Sequence, residues 1–267
     1  MKIISKTIKL LPLFLMALAI ISCSDDDDNN GVTIPPVELN IVETALGDPE
    51  LASLVAAVTR AGLGDALQAD GPLTVLAPTN AAFTAFLSDN GFASLEDVPV
   101  PLLTQVLLNH VIADEVRAAD LVAAGSGYGP GLATNDQDLN ISIYFNTSNG
   151  VRFNNAASVT AEGADIDASN GVIHKIDAVL GLPDVVDFAI ANPDLSSLVA
   201  ALGAADGGLV GVLQGDGPFT VLAPTNAAFG DFLGDTPLGS VDTAVLSQIL
   251  LNHVIGASVT SGALVEG

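Results

Sequence analysis

Residues 48–124 carry apolar residues mostly at helical spacing, and residues 139–176 read as strands. Leu51, Leu54, Val55 and Val58 fall at i, i+3, i+4 and i+7, one face of a helix. Asp48-Pro49-Glu50 reads as its start, with Asp as cap, Pro at the first helical position and Glu in the first turn. Gly62 and Gly64 end it, and 65–67 reads as a short helical piece. After the turn Asp70-Gly71-Pro72, residues 73–77 are apolar but for Thr74 and predict a short buried strand. Pro78 has no N–H to donate and stops that strand. Thr79 or Asn80 then caps a helix whose apolar side is Phe83, Phe86 and Leu87. Residues 101–112 predict another helix, with Leu103, Val106, Leu107 and His110 on one stripe. A helical turn at 120–122 leads into a Gly-rich segment, 125–131.

From there the period drops to two. Residues 139–145 alternate as a strand, and Thr147-Ser148-Asn149-Gly150 reads as a hairpin turn with the Asn-Gly of type I′. Residues 151–153 pair back, 157–161 is another strand, and Asn170-Gly171 turns the chain into a closing strand at 172–176. Helices first and strands afterwards make an α+β fold rather than alternating βαβ units.

Then the pattern starts again. Gly71 to Phe83 returns as Gly217 to Phe229, and only Leu73/Phe219 differs. Pro49-Glu50-Leu51-Ala52-Ser53-Leu54-Val55 returns as Pro193-Asp194-Leu195-Ser196-Ser197-Leu198-Val199, and 107–112 returns as 250–255. The spacing, 217 − 71 = 146 residues, is that of a domain. Two copies are expected, at 37–183 and 184–267. The second lacks a counterpart of the strand-rich half, so the expectation is a second copy incomplete at its C-terminus, within a longer natural chain that continues through another Asn-Gly-Val-Ile-His-like segment. An unfinished copy is expected to expose apolar helix faces and strand edges.

Composition changes the picture mainly at the N-terminus. Lys2, Lys6 and Lys9 precede the apolar run 10–21, so residues 1–22 read as a signal sequence. Ala19-Ile20-Ile21-Ser22-Cys23 is similar to a bacterial lipobox, which implies lipidation of Cys23, the sole cysteine, and a membrane partner reached through that anchor. Residues 23–36 form an acidic, Pro-bearing tether containing Asp25-Asp26-Asp27-Asp28, whose carboxylates stay solvated. That run lacks the interleaved ligands and glycine of a calcium loop. The formal charge is −24 and three of the seven Lys+Arg lie in the signal, so the mature chain is more acidic still. Such a field repels nucleic acid. The implied location is a bacterial outer membrane or cell surface, with a periplasm-facing placement as the alternative.

The residues 74–83, Thr-Val-Leu-Ala-Pro-Thr-Asn-Ala-Ala-Phe, resemble the first signature box of the fasciclin (FAS1) domain, and 169–180 resembles its second. The resemblance implies a FAS1-type β-wedge with helices packed around it, in two tandem copies. It also implies adhesion or extracellular binding, usually without enzymatic activity. The family-motif positions are Thr74, Pro78, Thr79, Asn80, Phe83, His110, Asn170, Gly171, His174 and Asp177, then Pro224, Thr225, Asn226, Phe229 and His253 in the second copy. All are read as structural. Where animal members carry a Tyr-His pair linked to integrin binding, this chain has Asn109-His110 and Asn252-His253. Integrin-type recognition is therefore not carried over.

Little points to catalysis. His110 and His253 sit on apolar stripes, and His174 shares a strand face with Val172 and Ile176; each reads as a packed core residue. Asp165 and Asp167 read as one solvated strand face. There is no Gly-x-Ser-x-Gly elbow and no phosphate loop, and carboxylates are dispersed. No catalytic residue, metal or cofactor is expected. The reading is a surface-anchored, non-enzymatic adhesion or matrix-interaction lipoprotein, partnered by an extracellular protein or polysaccharide. A small-ligand or glycan-binding lipoprotein is the alternative, and an enzyme comes third.

Overall fold

The computed structural model describes residues 38–263, so the signal, the tether and Cys23 lie outside the described residues. The first repeat opens with a helix that its short apolar pattern hides. α1 (Ile41–Gly47) is closed by a reciprocal cap: Glu43 N–H donates to Asn40 Oδ1 (3.0 Å) and Asn40 N–H to Glu43 Oε2 (2.9 Å). Only Ile41 and Ala45 of this helix are buried, too few to show a period. Asp48 is a cap, but of a 3-10 turn over Pro49–Leu51; α2 follows at Ala52–Ala61. Gly62, at φ 70°, ends α2 in the left-handed conformation that glycine tolerates best. α3 is Gly64–Gln68.

β1 (Leu73–Pro78) is buried along almost its whole length. α4 (Asn80–Asp89) is capped by Thr79, not Asn80. α5 (Val100–Leu108) stops earlier than the apolar stripe suggests. His110 therefore lies in the turn beyond the helix, and its N–H closes that turn on the Leu107 carbonyl (3.0 Å). The next two residues become β2 (Val111–Ile112), because a β-branched pair can take up the antiparallel ladder beside β1. α6 is Ala118–Ala124.

The Gly-rich stretch is a strand, β3 (Ser126–Thr134), paired with β4 (Asn140–Asn146). Its glycines allow side chains of β4 to lie close. A Cβ on Gly127 would stand 3.0 Å from the Phe145 ring, and one on Gly131 3.1 Å from the Ile141 carbonyl oxygen. The turn to β5 (Arg152–Phe153) is not type I′. Gly150 has φ 83°, but Asn149 does not take a positive φ, and the ladder resumes only at Asn146↔Arg152. β6 (Ala157–Ser158), β7 (Ile166–Ala168) and β8 (Gly171–Ile176) complete this repeat.

Among the described residues these strands form one sheet ordered β6-β5-β4-β3-β2-β1-β8-β7, with β1 and β8 parallel and the other pairs antiparallel. Helices meet one side of β1, where Val75 and Ala77 join Leu54, Val58, Phe83 and Leu103. Leu76 joins Ile143, Phe153, Ile176 and Leu180 on the other side. A strand buried on both faces reads as a continuous apolar run, which is what 73–77 shows.

The second repeat reproduces the helical half: α7 (Val185–Ala191), a 3-10 turn at Pro193–Leu195, α8 (Ser196–Ala204), α9 (Leu209–Leu213), β9 (Thr220–Val221), α10 (Asn226–Leu233), α11 (Thr243–Leu251) and β10 (Val254–Ile255). β9 pairs only with β10 among the described residues. Leu222 is consequently 50% exposed where its counterpart Leu76 is fully covered (0%). The repeats touch through Tyr128, whose ring lies 6.1 Å from Phe188 and 5.0 Å from Tyr144, and whose hydroxyl accepts from Asn192 Nδ2 (3.1 Å).

Candidate functional site

The motif residues are tied to backbone, and the same ties occur twice. Thr74 Oγ1 donates to the Asp114 carbonyl (2.6 Å) and accepts from Val116 N–H (2.8 Å). Thr220 does the same with Ala257 (2.7 Å) and Val259 (2.8 Å). The one hydroxyl in an apolar strand thus pins the chain that leaves the neighbouring strand. Thr79 and Thr225 accept from Ala82 and Ala228 N–H, both at 3.3 Å, as helix caps. Asn80 reaches sideways: Oδ1 accepts from Ser53 N–H (2.8 Å) and Nδ2 donates to the Pro49 carbonyl (2.8 Å). Asn226 repeats this with Ser197 (2.8 Å) and Pro193 (2.9 Å). Pro78 and Pro224 precede the capping threonines, and Phe83 and Phe229 are buried in the two cores.

Asn170 serves four backbone groups. Its Oδ1 accepts from Ile41 N–H (2.9 Å), its Nδ2 donates to the carbonyls of Leu67 and Ala69 (2.9 Å each), and its carbonyl accepts from Leu73 N–H (3.1 Å). Gly171, at φ 153°, lies so close to β1 that a Cβ would fall on the Leu73 carbonyl oxygen. Asp177 Oδ1 accepts from Ser158 N–H (2.6 Å) and holds β6 to the end of β8.

The histidines are committed in the same way. His110 is buried; Nδ1 must donate to the Val106 carbonyl (2.7 Å), leaving Nε2 to accept from Leu180 N–H (2.9 Å). Burial pushes its pKa down to about 4, against a smaller opposing effect of the Val106 carbonyl, so the ring is neutral. His253 makes the corresponding Nδ1 contact with the Ile249 carbonyl (2.8 Å). His174, also buried, donates through Nε2 to the Val116 carbonyl (2.8 Å) and accepts Asp165 N–H at Nδ1 (3.2 Å). His110 and His174 thus have neither nitrogen spare for a substrate or a metal. No group of three or more His, Cys, Asp or Glu side chains comes together as a metal site among the described residues.

Asp165 and Asp167 do not share a solvated face. Asp165 stands before β7 at φ 52° and accepts Ala118 N–H (2.9 Å), while Asp167 pairs with Arg117 (2.7 Å). Lys175 reaches Glu50 (2.7 Å) and Asp48 (3.1 Å), which raises its pKa, most through Glu50 and against the effect of burial. Asn109, whose position alone stood out as a departure from Tyr-His, is fully buried and donates to the Gly181 carbonyl (2.7 Å). It therefore offers no surface to a partner.

The fasciclin domain family model matches residues 49–183 and 193–267. The chain belongs to the fasciclin domain family. The uncharacterized protein sll1735 of Synechocystis sp. is 38% identical over 141 residues, 53% of this chain and 96% of that one. Human periostin is 31% identical over 82% of this chain and 24% of its own, much longer length. The rabbit transforming growth factor-beta-induced protein ig-h3 is 30% identical over 91% of this chain and 34% of its own. A FAS1 domain pair from the insect cell adhesion molecule fasciclin I shares the fold, with a TM-score of 0.50 at 19% identity over 80% of this chain and 76% of that one.

What the motif leaves open lies under the first fasciclin repeat's helices. A cavity of about 340 Å³ is bounded by α1, α2, α3 and the core strands, with Ile41, Ala45, Leu54, Val58, Leu67 and Val75 in its walls. Its lining includes α1 residues, and the sequence shows no clear period there that would have revealed them. The corresponding space in the second repeat is about 220 Å³, where Leu202 stands in place of Val58 and Tyr128 of the first repeat forms part of the wall.

Proposed function

We propose that this fasciclin chain is a non-enzymatic adhesion or matrix-interaction lipoprotein, held at a bacterial outer membrane or cell surface by lipid on Cys23. The observation that carries this reading is the tandem arrangement. Two fasciclin segments follow one another in one chain, and the alignment with periostin runs through both, over 82% of this chain. Two binding modules on one tether bind a surface with an effective concentration that a single module lacks. With both ring nitrogens engaged by backbone, His110 and His174 support a role without acid–base chemistry. No single described helix is long and apolar enough to cross a membrane, so the lipid on Cys23 is the proposed means of attachment. The partner is an extracellular protein or polysaccharide, and the acidic chain disfavours nucleic acid.

Protease shaving of intact cells, with a Cys23→Ser strain alongside, tests the placement. The parent protein is expected on the membrane and open to protease, and the variant in the soluble fraction. Attachment of a deletion strain to protein- and polysaccharide-coated surfaces tests the activity, and attachment equal to the complemented parent on all of them contradicts it.

A further inference from the structure

The walls of the first-repeat cavity are apolar, and its one histidine gives a ligand nothing to bond. His110 lines it, but both ring nitrogens are occupied by Val106 and Leu180. Away from its open mouth the lining is mostly aliphatic, so an apolar guest gains by displacing water from it. Polar groups lie only towards the outside: Thr59, Asp65 and Gln68 are exposed, next to Leu46, an apolar side chain 63% exposed among the lining residues. The electrostatics there are one-sided. The lining contains Asp65 and neither Lys nor Arg, and the chain carries −24. An anionic head group would meet an unfavourable field at the mouth, and a neutral or cationic one would not.

Volume sets the size. At the roughly 30 Å³ that a water-sized group occupies in a liquid, a cavity of about 340 Å³ holds on the order of ten such groups. We propose that the cavity under α1, α2 and α3 binds a single unbranched alkyl chain of about ten carbons with a neutral or cationic head group, the chain inside and the head beside Asp65. The site belongs to the first repeat, because Leu202 and Tyr128 narrow its counterpart in the second. This inference is independent of adhesion: the cavity can bind in a chain that adheres to nothing, and the reverse.

The test uses the full chain with Cys23→Ser, purified without detergent, which would compete for the cavity. N-phenyl-1-naphthylamine reports occupancy by fluorescence, and decan-1-ol, decylamine and decanoate are titrated against it. Decanol and decylamine are expected to displace the probe, with decanoate weaker by about tenfold or more. Val58→Phe, inside, and Thr59→Trp, at the exposed rim, should each weaken decanol by about tenfold. Because Thr59 is exposed, its variant remains informative if Val58→Phe does not fold. Asp65→Lys should bring decanoate up to the affinity of decanol. No displacement by any of the three overturns the site, as does decanol binding untouched by Thr59→Trp in folded protein. Decanoate binding as tightly as decanol in the Asp65 parent overturns the head-group assignment.

Discussion

His110 accepts the Leu180 amide proton at Nε2 across 2.9 Å, joining the end of α5 to the segment that follows β8. Beside it, Asn109 donates to the Gly181 carbonyl at 2.7 Å. The Asn-His pair is thus a clasp between the helical half of the first repeat and the exit from its strand-rich half. Both residues are buried, so their work is internal rather than recognition of a partner.

That clasp predicts acid sensitivity. His110 titrates near its usual 6.5 when unfolded and at about 4 when folded. Between these values the unfolded chain binds the extra proton, so stability is full above pH 6.5 and falls as pH drops towards 4. The loss attributable to this residue is roughly 3 kcal/mol at the acid end. Thermal melts from pH 7 to pH 4 measure it. His110→Gln, which cannot take the proton, should flatten the dependence; an equally steep curve in that variant assigns the effect to other groups.

Asn80→Ala and Asn226→Ala each remove a two-bond tie, from the start of α4 to the 3-10 turn and first residues of α2, and from the start of α10 to those of α8. Each should cost about 1–3 kcal/mol, since Ser53 or Ser197 N–H and the opposing carbonyl lose their partner. Urea titration of each variant reads the loss. Asn80→Asp keeps the acceptor and loses the donor, and should fall between parent and Ala.

Gly171→Ala should be far more damaging than its small size suggests. The added Cβ falls on the Leu73 carbonyl oxygen within the parallel β1–β8 pair, with Gly71 and Asn170 packed against each other beside it. Separating β1 from β8 disturbs strands buried on both faces, and a loss on the order of 4 kcal/mol is expected. Soluble yield and melting temperature check this; a Gly171→Ala chain melting within a few degrees of the parent contradicts the close approach.

Tyr128→Ala should loosen the two repeats without unfolding either. It removes ring contacts with Phe188 and Tyr144 and the hydrogen bond from Asn192, together worth about 1 kcal/mol. The expected signs are faster limited proteolysis in 181–193 and a broader small-angle scattering profile, at unchanged helix content by circular dichroism.

The features written in one stretch of chain were legible in the sequence. The face carrying Leu54 and Val58, the buried run 73–77, the repeat and the family boxes all depend on short periods or local chemistry. α1 was not legible, because two buried residues in one short helix make no period. β3 was hidden because glycine spacing looks like a loop until Phe145 and Ile143 of β4 lie across it. The choice of Thr79 over Asn80 as cap was undecidable locally, since Asn80 is recruited by Pro49 and Ser53 from another helix.

By itself the sequence determined the α+β class, the doubling and the family. These follow from patterns that a dozen neighbouring residues carry. Only the tertiary structure decided what those residues hold: Thr74 to 114–116, Asn170 to α1 and α3, His110 to Leu180. It also decided that a cavity remains between helices whose packed faces are separately ordinary. Hydrogen bonds and voids between segments distant in sequence depend on how those segments meet, and no local period encodes that.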